Sequence, residues 1–542
     1  MHTQLDIASA LALTPGTASP APRVGANTEP HPLDPFACET RQHVRTALER
    51  AARPDYPDWL RHVVSAAACT HPIRLHGNLA TVNTHTGEIL ACQHTSTLPD
   101  GVLYKACGNR RHTVCPACAT TYQHDAYHLI RAGLIGGKTI PDSVRTHPAV
   151  FATLTAPSFG PVHTRHVPHH TCRDKTRCTC RPAPCHARRD HPTCPHGTPL
   201  VCWQRHDVSD ELLGRPLCAN CYDHDHHVVW NHHAGELWRR TKQHAERHLN
   251  QRARQRGLPK IRLSHGKAAE YQARGAVHFH ILLRLDGIDP DQPDTIAPPP
   301  DGITADDIIT AVTLAATTIA YTTGPHPAQL DGWRITWGEQ HEIRPITLSA
   351  TGDALDDQAV AAYLAKYSTK GTEVTGHTSQ RLTDATITLY ANPTGTHPER
   401  LIAAAWKLGH TPEWAGLRRW AHMLGFGGHF LTKARRYSIT FGSIREERVA
   451  YRRAHALNTG PPRAEGHPER TRFQRQAALD TKTEETTLVI GFLTYAGTGW
   501  HTTGDQLLAN TAAAQARERT RAGREELAHH TREQSPSTPL AA

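Results

Sequence analysis

The chain has 542 residues, 38% of them apolar, and Lys plus Arg exceed Asp plus Glu by 60 − 50 = 10, which with a pI near 9.0 suits a polyanionic partner. A mean hydropathy of −0.53 and the lack of any apolar run near the roughly 18–20 residues of a membrane helix argue against a transmembrane protein. No basic segment followed by an apolar one opens the chain, so no secretory leader is read and a cytoplasmic protein with no membrane partner is expected.

Residues 1–35, rich in Ala, Pro and Thr, read as a disordered tail. Residues 36–91 read as a helical and hairpin region, helical over 36–70 and with a short hairpin over 76–92. The 14 cysteines of such a protein are expected to be metal ligands rather than disulfides. A first zinc module spans 92–145, where Cys92, Cys107, Cys115 and Cys118 end in Cys-Pro-Ala-Cys. Within it Tyr122 to Leu134 is helical. Val150–Thr155 is the first strand of a larger α+β domain over 146–400, which a Cys/His-rich insertion interrupts at 170–225. That insertion holds a quartet of Cys194, Cys202, Cys218 and Cys221, and a tighter cluster of Cys172, Cys178, Cys180 and Cys185. His186, His196 and His206 are potential substitutes for any one of these cysteines. Residues 160–225 are too polar to fold unaided, so Zn2+ would replace missing core. Cys38 and Cys69 read as ordinary thiols. Val228–Asn250 forms a helix packed through Trp230, Leu237 and Trp238, and a helix at 304–320 and a strand around Trp333–Trp337 follow a Pro/Asp-rich loop at 287–302.

Between those helices lies Ala276-Val277-His278-Phe279-His280-Ile281-Leu282-Leu283-Arg284-Leu285. In a strand, His278 and His280 share one face while Phe279, Ile281 and Leu283 share the other. Glu270-Tyr271-Gln272 precedes Ala273-Arg274-Gly275. A hairpin with a three-residue loop puts Gly275 at the left-handed position, pairs Gln272 with Ala276, and sets Glu270 opposite His278. Two imidazoles and a carboxylate on one face form a divalent-metal site.

Downstream, Ala361 to Gly371 reads as a helix ended by glycine. Tyr363 and Tyr367 stand four apart on one face, with Lys366 and Lys370 nearby. A phenol with pKa about 10 is a weak nucleophile at neutral pH, and adjacent cations or a metal-bound phosphate lower the cost of phenolate.

These stretches together resemble the HUH endonucleases, and specifically the actinobacterial branch of rolling-circle plasmid replication initiators. Val150–Pro157, His278-Phe279-His280 and Tyr363–Lys370 stand in family order, and Glu-x-Gln-x-Arg-Gly before the histidines matches too. The resemblance covers roughly residues 92–445. It implies an HUH domain with a central antiparallel sheet and flanking helices, and a Mg2+- or Mn2+-assisted transesterification at plasmid origin DNA. A tyrosine would become 5′-phosphotyrosyl and release a 3′-hydroxyl primer. Tyr367 matches the family nucleophile. Some relatives carry Glu four residues before it; here Tyr363 stands there, as in the paired-tyrosine initiators of certain phages, either as a second nucleophile or as a structural residue.

Leu424-Gly425-Phe426-Gly427-Gly428 leads into a basic C-terminal part, 401–455, where Lys433, Arg435 and Arg436 supply charge for DNA and Phe430 or Tyr437 for base stacking; a tight turn before a solvated strand is the plainer alternative. Residues 456–542 read as a mostly disordered tail, with a strand at Thr487–Tyr495 and a helix at Gln506–His530 as exceptions. Gly133–Thr139 resembles a phosphate loop, but Ala132 stands where its first glycine belongs and a helix precedes it. No built-in helicase is therefore expected, and a host helicase and polymerase would be needed. An HUH relaxase or transposase, and a non-catalytic zinc-ribbon DNA-binding regulator, are the competing readings. The regulator gives no role to Glu270, His278, His280 and the tyrosines.

Overall fold

The computed structural model describes residues 35–83, 85–168, 180–346, 357–369, 371, 381–458 and 487–533. The chain opens with helices α1 (Pro35–Ala51) and α2 (Tyr56–Val63), strands β1 (Ile73–Asn83), β2 (Ile89–His94) and β3 (Leu103–Lys105), and helix α3 (Pro116–Ile135). Next come β4 (Ala149–Leu154), α4 (His224–Gln255), β5 (Ile261–Tyr271), β6 (Val277–Gly287), α5 (Ala305–Thr318), β7 (Ala320–Thr322), β8 (Arg334–Thr336) and β9 (His341–Pro345). The remainder is α6 (Asp357–Tyr367), α7 (His397–Leu408), α8 (Ala415–Arg419), β10 (Leu431–Lys433), α9 (Phe441–Asn458), β11 (Thr487–Thr498) and α10 (Thr503–Glu533). None of the described helices is long and apolar enough to cross a membrane.

Two compact units result, one drawn from residues 1–119 and 462–542, the other from 120–461. In the first, β1 lies between β11 and β2, every pair antiparallel, and β3 extends the sheet at Ile73–Leu75. The segment expected to be mostly tail thus supplies a strand and a helix. Its anchors are Trp500, stacked on Tyr104 at 5.1 Å, and buried Asp505, which accepts from Arg50 Nε at 2.6 Å. Arg50 also donates to Asp100, which accepts from Trp59 and Tyr104 as well.

The second unit is built on a five-stranded antiparallel sheet in the order β10-β5-β6-β4-β9. The alternation of β6 assigns its two faces. Phe279, Ile281, Leu283 and Leu285 join Trp230, Leu237 and Trp238 of α4 in one core. Leu282 faces the other way, with Ala149 and Ala268, against Leu129 and Ile130 of α3 and Leu364 of α6. On that second face Arg284 is fully buried and makes a two-bond fork to Asp286 at 2.7 and 2.9 Å. Ser264 and His147 supply further bonds to the same carboxylate, so the buried pair is well satisfied.

The glycine-rich segment makes a tight turn against α4. Leu424 and Gly425 have φ of +52° and +88°, and a Cβ on Gly425 would lie 2.4 Å from the Val228 carbonyl oxygen of α4. Phe430 and Tyr437, expected as base-stacking candidates, are core residues instead; Tyr437 Oη donates to the Ile130 carbonyl at 2.9 Å. Gly136 to Thr139 form a positive-φ turn after α3 rather than a phosphate loop after a strand.

Buried Asn231 of α4 clamps the β5–β6 hairpin. Its Nδ2 donates to Gly275 O and Leu424 O at 3.0 and 2.9 Å, and its Oδ1 accepts from Val277 N at 2.9 Å. Asn231→Ala strands these three backbone groups at about 1–3 kcal/mol each. A loss of at least about 3 kcal/mol in urea unfolding is expected, and a loss under about 1 kcal/mol would show the clamp to be dispensable.

Burial also keeps several histidines neutral. It lowers His233 and His397 to about 4 and His265 to about 3. Their contribution is complete above the ordinary value of 6.5 and falls as pH drops towards 4, because only the unfolded chain takes up the protons. The urea midpoint should therefore decline steadily between about pH 6.5 and 4; a flat profile there contradicts the neutral assignment.

Candidate metal and nucleophile site

The turn between β5 and β6 has the geometry its sequence dictates. Gly275 has φ +84°, its N–H donates to Gln272 O at 2.8 Å, and Gln272 N donates to Ala276 O at 2.9 Å. Glu270 therefore stands opposite His278. His278 Nε2 and His280 Nε2 lie 3.1 and 3.3 Å from the same oxygen, Glu270 Oε2. The three ligand atoms fall within 4.8 Å of one another, the spacing expected of ligands about 2.0–2.2 Å from one ion. Thr153 Oγ1, in register with His280 on β4, meets His280 Nδ1 at 3.2 Å and so aims Nε2 at the centre. Phe151 stacks on the same ring at 5.9 Å. Glu270 and His280 are buried and His278 is half-buried.

Helix α6 brings both tyrosines to this centre. Tyr363 Oη is 3.5 Å from His280 Nε2, and the Tyr367 ring lies 5.4 Å from the His280 ring. The two phenol rings are 4.4 Å apart and hydrogen-bonded to each other. Burial, with further contributions from Tyr367 and Glu270, pushes the Tyr363 phenol well above its ordinary range. Lys366 is exposed, its Nζ 5.9 Å from the Tyr367 ring centroid; Lys370 lies outside the described residues.

The basic C-terminal residues are not alike. Arg435 is exposed. Lys433 is half-buried and donates to the Ala434 and Arg435 carbonyls, while Arg436 pairs with Asp294.

Three Cys/His groups have metal-ligand geometry, and their membership corrects the sequence grouping. The first joins Cys107, Cys115 and Cys118 with Cys69, not Cys92. The Cys107–Cys118 and Cys69–Cys115 sulfur pairs are 3.6 and 3.8 Å apart, near the roughly 3.8 Å edge of a tetrahedron with Zn–S of 2.3 Å. The Cys69 thiol's hydrogen bond holds Cys118 down at about 5. Cys92 is exposed on β2. Chain proximity favoured it, but the fold carries Cys69 to the knuckle instead, and no local motif announced that residue.

The second group is Cys194, His196, Cys218 and Cys221, with histidine in place of Cys202. Cys202 belongs to a third group with His163, Cys185 and His206. There a backbone bridge joins His186 to Cys202, and His206 Nδ1 is held by Asp210 at 2.7 Å while its Nε2 faces Cys202 Sγ at 3.6 Å. That carboxylate–histidine pairing is the usual support of a metal-bound imidazole. His163 was missed because it lies outside the Cys/His segment read as the insertion, nine residues before Cys172. Cys172 and Cys178 lie outside the described residues, and Cys180 falls in none of these groups.

Fold and site thus define a mixed α/β protein in which an antiparallel sheet presents a three-ligand centre to paired tyrosines, and whose described residues include three Cys/His groups of metal-ligand geometry. Residues 55–514 match the family described as RepSA, replication initiator protein, pSAM2. A replication initiator protein from Streptomyces ambofaciens is 40% identical over 475 residues, 86% of this chain and 92% of that protein. The chain belongs to this replication initiator family. No solved structure matches it.

The regrouped cysteines give a direct test. Cys69→Ala should remove about one zinc per chain by elemental analysis, whereas Cys92→Ala should remove none. The reverse result would restore the grouping by sequence proximity.

Proposed function

We propose that the protein initiates plasmid rolling-circle replication as an HUH-type nicking and joining enzyme acting on origin DNA. The observation that carries this reading is the convergence of Glu270, His278 and His280 on one point directly beside the Tyr363 and Tyr367 phenols. Membership of a replication initiator family agrees with it.

Glu270, His278 and His280 would hold Mg2+ or Mn2+, which when bound supplies Lewis acidity to the phosphate. Tyr367 Oη attacks phosphorus, forming the O–P bond as the P–O3′ bond breaks. The phenol proton leaves to solvent, and the departing 3′-oxygen gains one and can prime synthesis. The residue four before Tyr367 is itself a phenol on the same helix face, so Tyr363 can perform the second, closing transfer. Strand separation and synthesis would fall to a host helicase and polymerase.

Tyr367→Phe should leave folding and DNA binding intact and abolish the covalent adduct, with nicking of supercoiled origin plasmid down on the order of 10³-fold or more. Tyr363→Phe should nick and fail to rejoin. Mass spectrometry of the phosphotyrosyl peptide decides between the two; an adduct on Tyr363 alone reverses the assignment. His278→Ala should lose divalent-metal-dependent cleavage while keeping its zinc.

A further inference from the structure

A cleft of about 900 Å3 opens at the end of the five-stranded sheet, between the segment that follows β4, the hairpin turn Gln272–Arg274 and residues 336–340. Its place relative to the Glu-His-His centre follows from strand alternation. Thr155 continues the face on which Thr153 meets His280, and Gln272 continues that of Glu270. The cleft therefore begins two residues, about 7 Å, beyond the centre. Gln272, Gln340, Ser158 and Thr164 line it with amides and hydroxyls, beside Arg165 and a lone acid, Glu339. Its volume lies within the roughly 300–1,000 Å3 typical of ligand sites. Donors and acceptors together with a cation match the edges of unpaired bases and the phosphates between them.

The outer wall, residues 161–165, belongs to no strand of the sheet. The Cys/His segment holds it. His163 N donates to Arg215 O at 2.8 Å, Gly214 N donates to His163 O at 2.9 Å, and Thr164 N donates to Cys185 Sγ at 3.1 Å. His186 Nε2 reaches Val162 O at 2.7 Å, and the His163 ring is itself one corner of the group with Cys185, Cys202 and His206. The inner wall is fixed by Arg274, whose guanidinium donates to Ala156 O and Pro157 O at 3.0 and 2.9 Å.

We propose that this cleft seats single-stranded DNA next to the scissile phosphate, and that zinc in the His163–Cys185–Cys202–His206 group shapes its outer wall. The position of the phosphate rests on the tyrosine-transfer reading above; the cleft's affinity for a strand does not.

The test uses full-length Tyr367→Phe protein, a fluorescein-labelled oligothymidylate, and anisotropy without added Mg2+ or Mn2+. Gln340→Trp and Ser158→Trp fill the cleft and touch no metal-ligand group. Each should weaken binding by about tenfold or more with zinc content unchanged. Cys202→Ala, outside the cleft lining, should lose about one zinc and weaken binding similarly, and Cys202→His should restore both. If the tryptophan variants bind within about twofold of their parent, the cleft is not the seat and the proposal fails. If Cys202→Ala loses zinc yet binds as tightly, the zinc-shaped wall is wrong. Photo-crosslinks from a 5-iodouracil oligonucleotide should fall in residues 155–165 or 336–340, and crosslinks confined elsewhere also overturn the proposal. Nicking by the unsubstituted protein, scored in parallel, separates the two readings. Cleft-dependent binding without nicking sinks the tyrosine chemistry alone, and nicking with cleft-independent binding sinks the cleft alone.

Discussion

Everything at the candidate site depends on the register of one hairpin. Because side chains alternate with period two, a slip of a single residue between β5 and β6 would move one strand's residues to the opposite face from their partners. Glu270 would then face away from His278 and His280, or the two histidines would enter the apolar layer beneath α4. Two local devices prevent this. Gly275 takes a positive φ that a side-chain-bearing residue adopts only at a cost, and Asn231 holds the last loop residue and the start of β6. The clamp comes from α4, so the packing of Trp230, Leu237 and Trp238 that seats the helix also fixes the register of the site.

The β5–β6 hairpin carries two buried carboxylates, Glu270 on β5 and Asp286 on β6, and their surroundings differ in kind. Asp286 is opposed by burial, yet bonds from His147 and Arg284, with Ser264 beside them, hold it below the usual carboxylate range. Its partners include a fixed cation, and the cluster is complete without any addition. Glu270 meets two histidines instead, both directing Nε2 at one oxygen. Neutral imidazoles present a lone pair as readily as a proton, so this cluster has a ligand set where the Asp286 cluster has an ion pair. The far end of the strand closes on an ion pair, and the hairpin end has the ligand spacing an ion would need.

How much of this was legible in the sequence follows the range of the forces involved. The Glu270–His278 pairing was readable because strand alternation and turn chemistry are local, and both lie within 11 residues of chain, Glu270 to His280. Membership of the cysteine groups was not, since a tetrahedron takes ligands from wherever the chain passes. Cys69 reaches the knuckle of Cys115 and Cys118 through the fold of the first unit, and His163 reaches Cys202 across the Cys/His insertion. The aromatics near Lys433 misled for a related reason. An aromatic beside arginines fits a base-stacking surface and a strand edge equally well, and only the helices above Tyr437 show that its ring is enclosed. The last strand and helix were visible as patterns, but Trp500 and Asp505 had no sequence partner to reveal them as anchors.

The paired tyrosines join these threads. Their rings stand 4.4 Å apart and their phenols are hydrogen-bonded to each other. Removing a proton from either leaves an anion that the other's hydroxyl can stabilise. Burial, the neighbouring Tyr367 and the Glu270 carboxylate oppose ionisation at Tyr363, which suits Tyr363 to donate in the hydrogen bond the two share. A glutamate at that position would add a second negative charge beside Tyr367 in the first step, whereas a phenol adds none. Under the transfer reading, residue 363 therefore puts a phenol beside Tyr367 in place of a carboxylate, and Glu270 is the only carboxylate of the three-ligand centre.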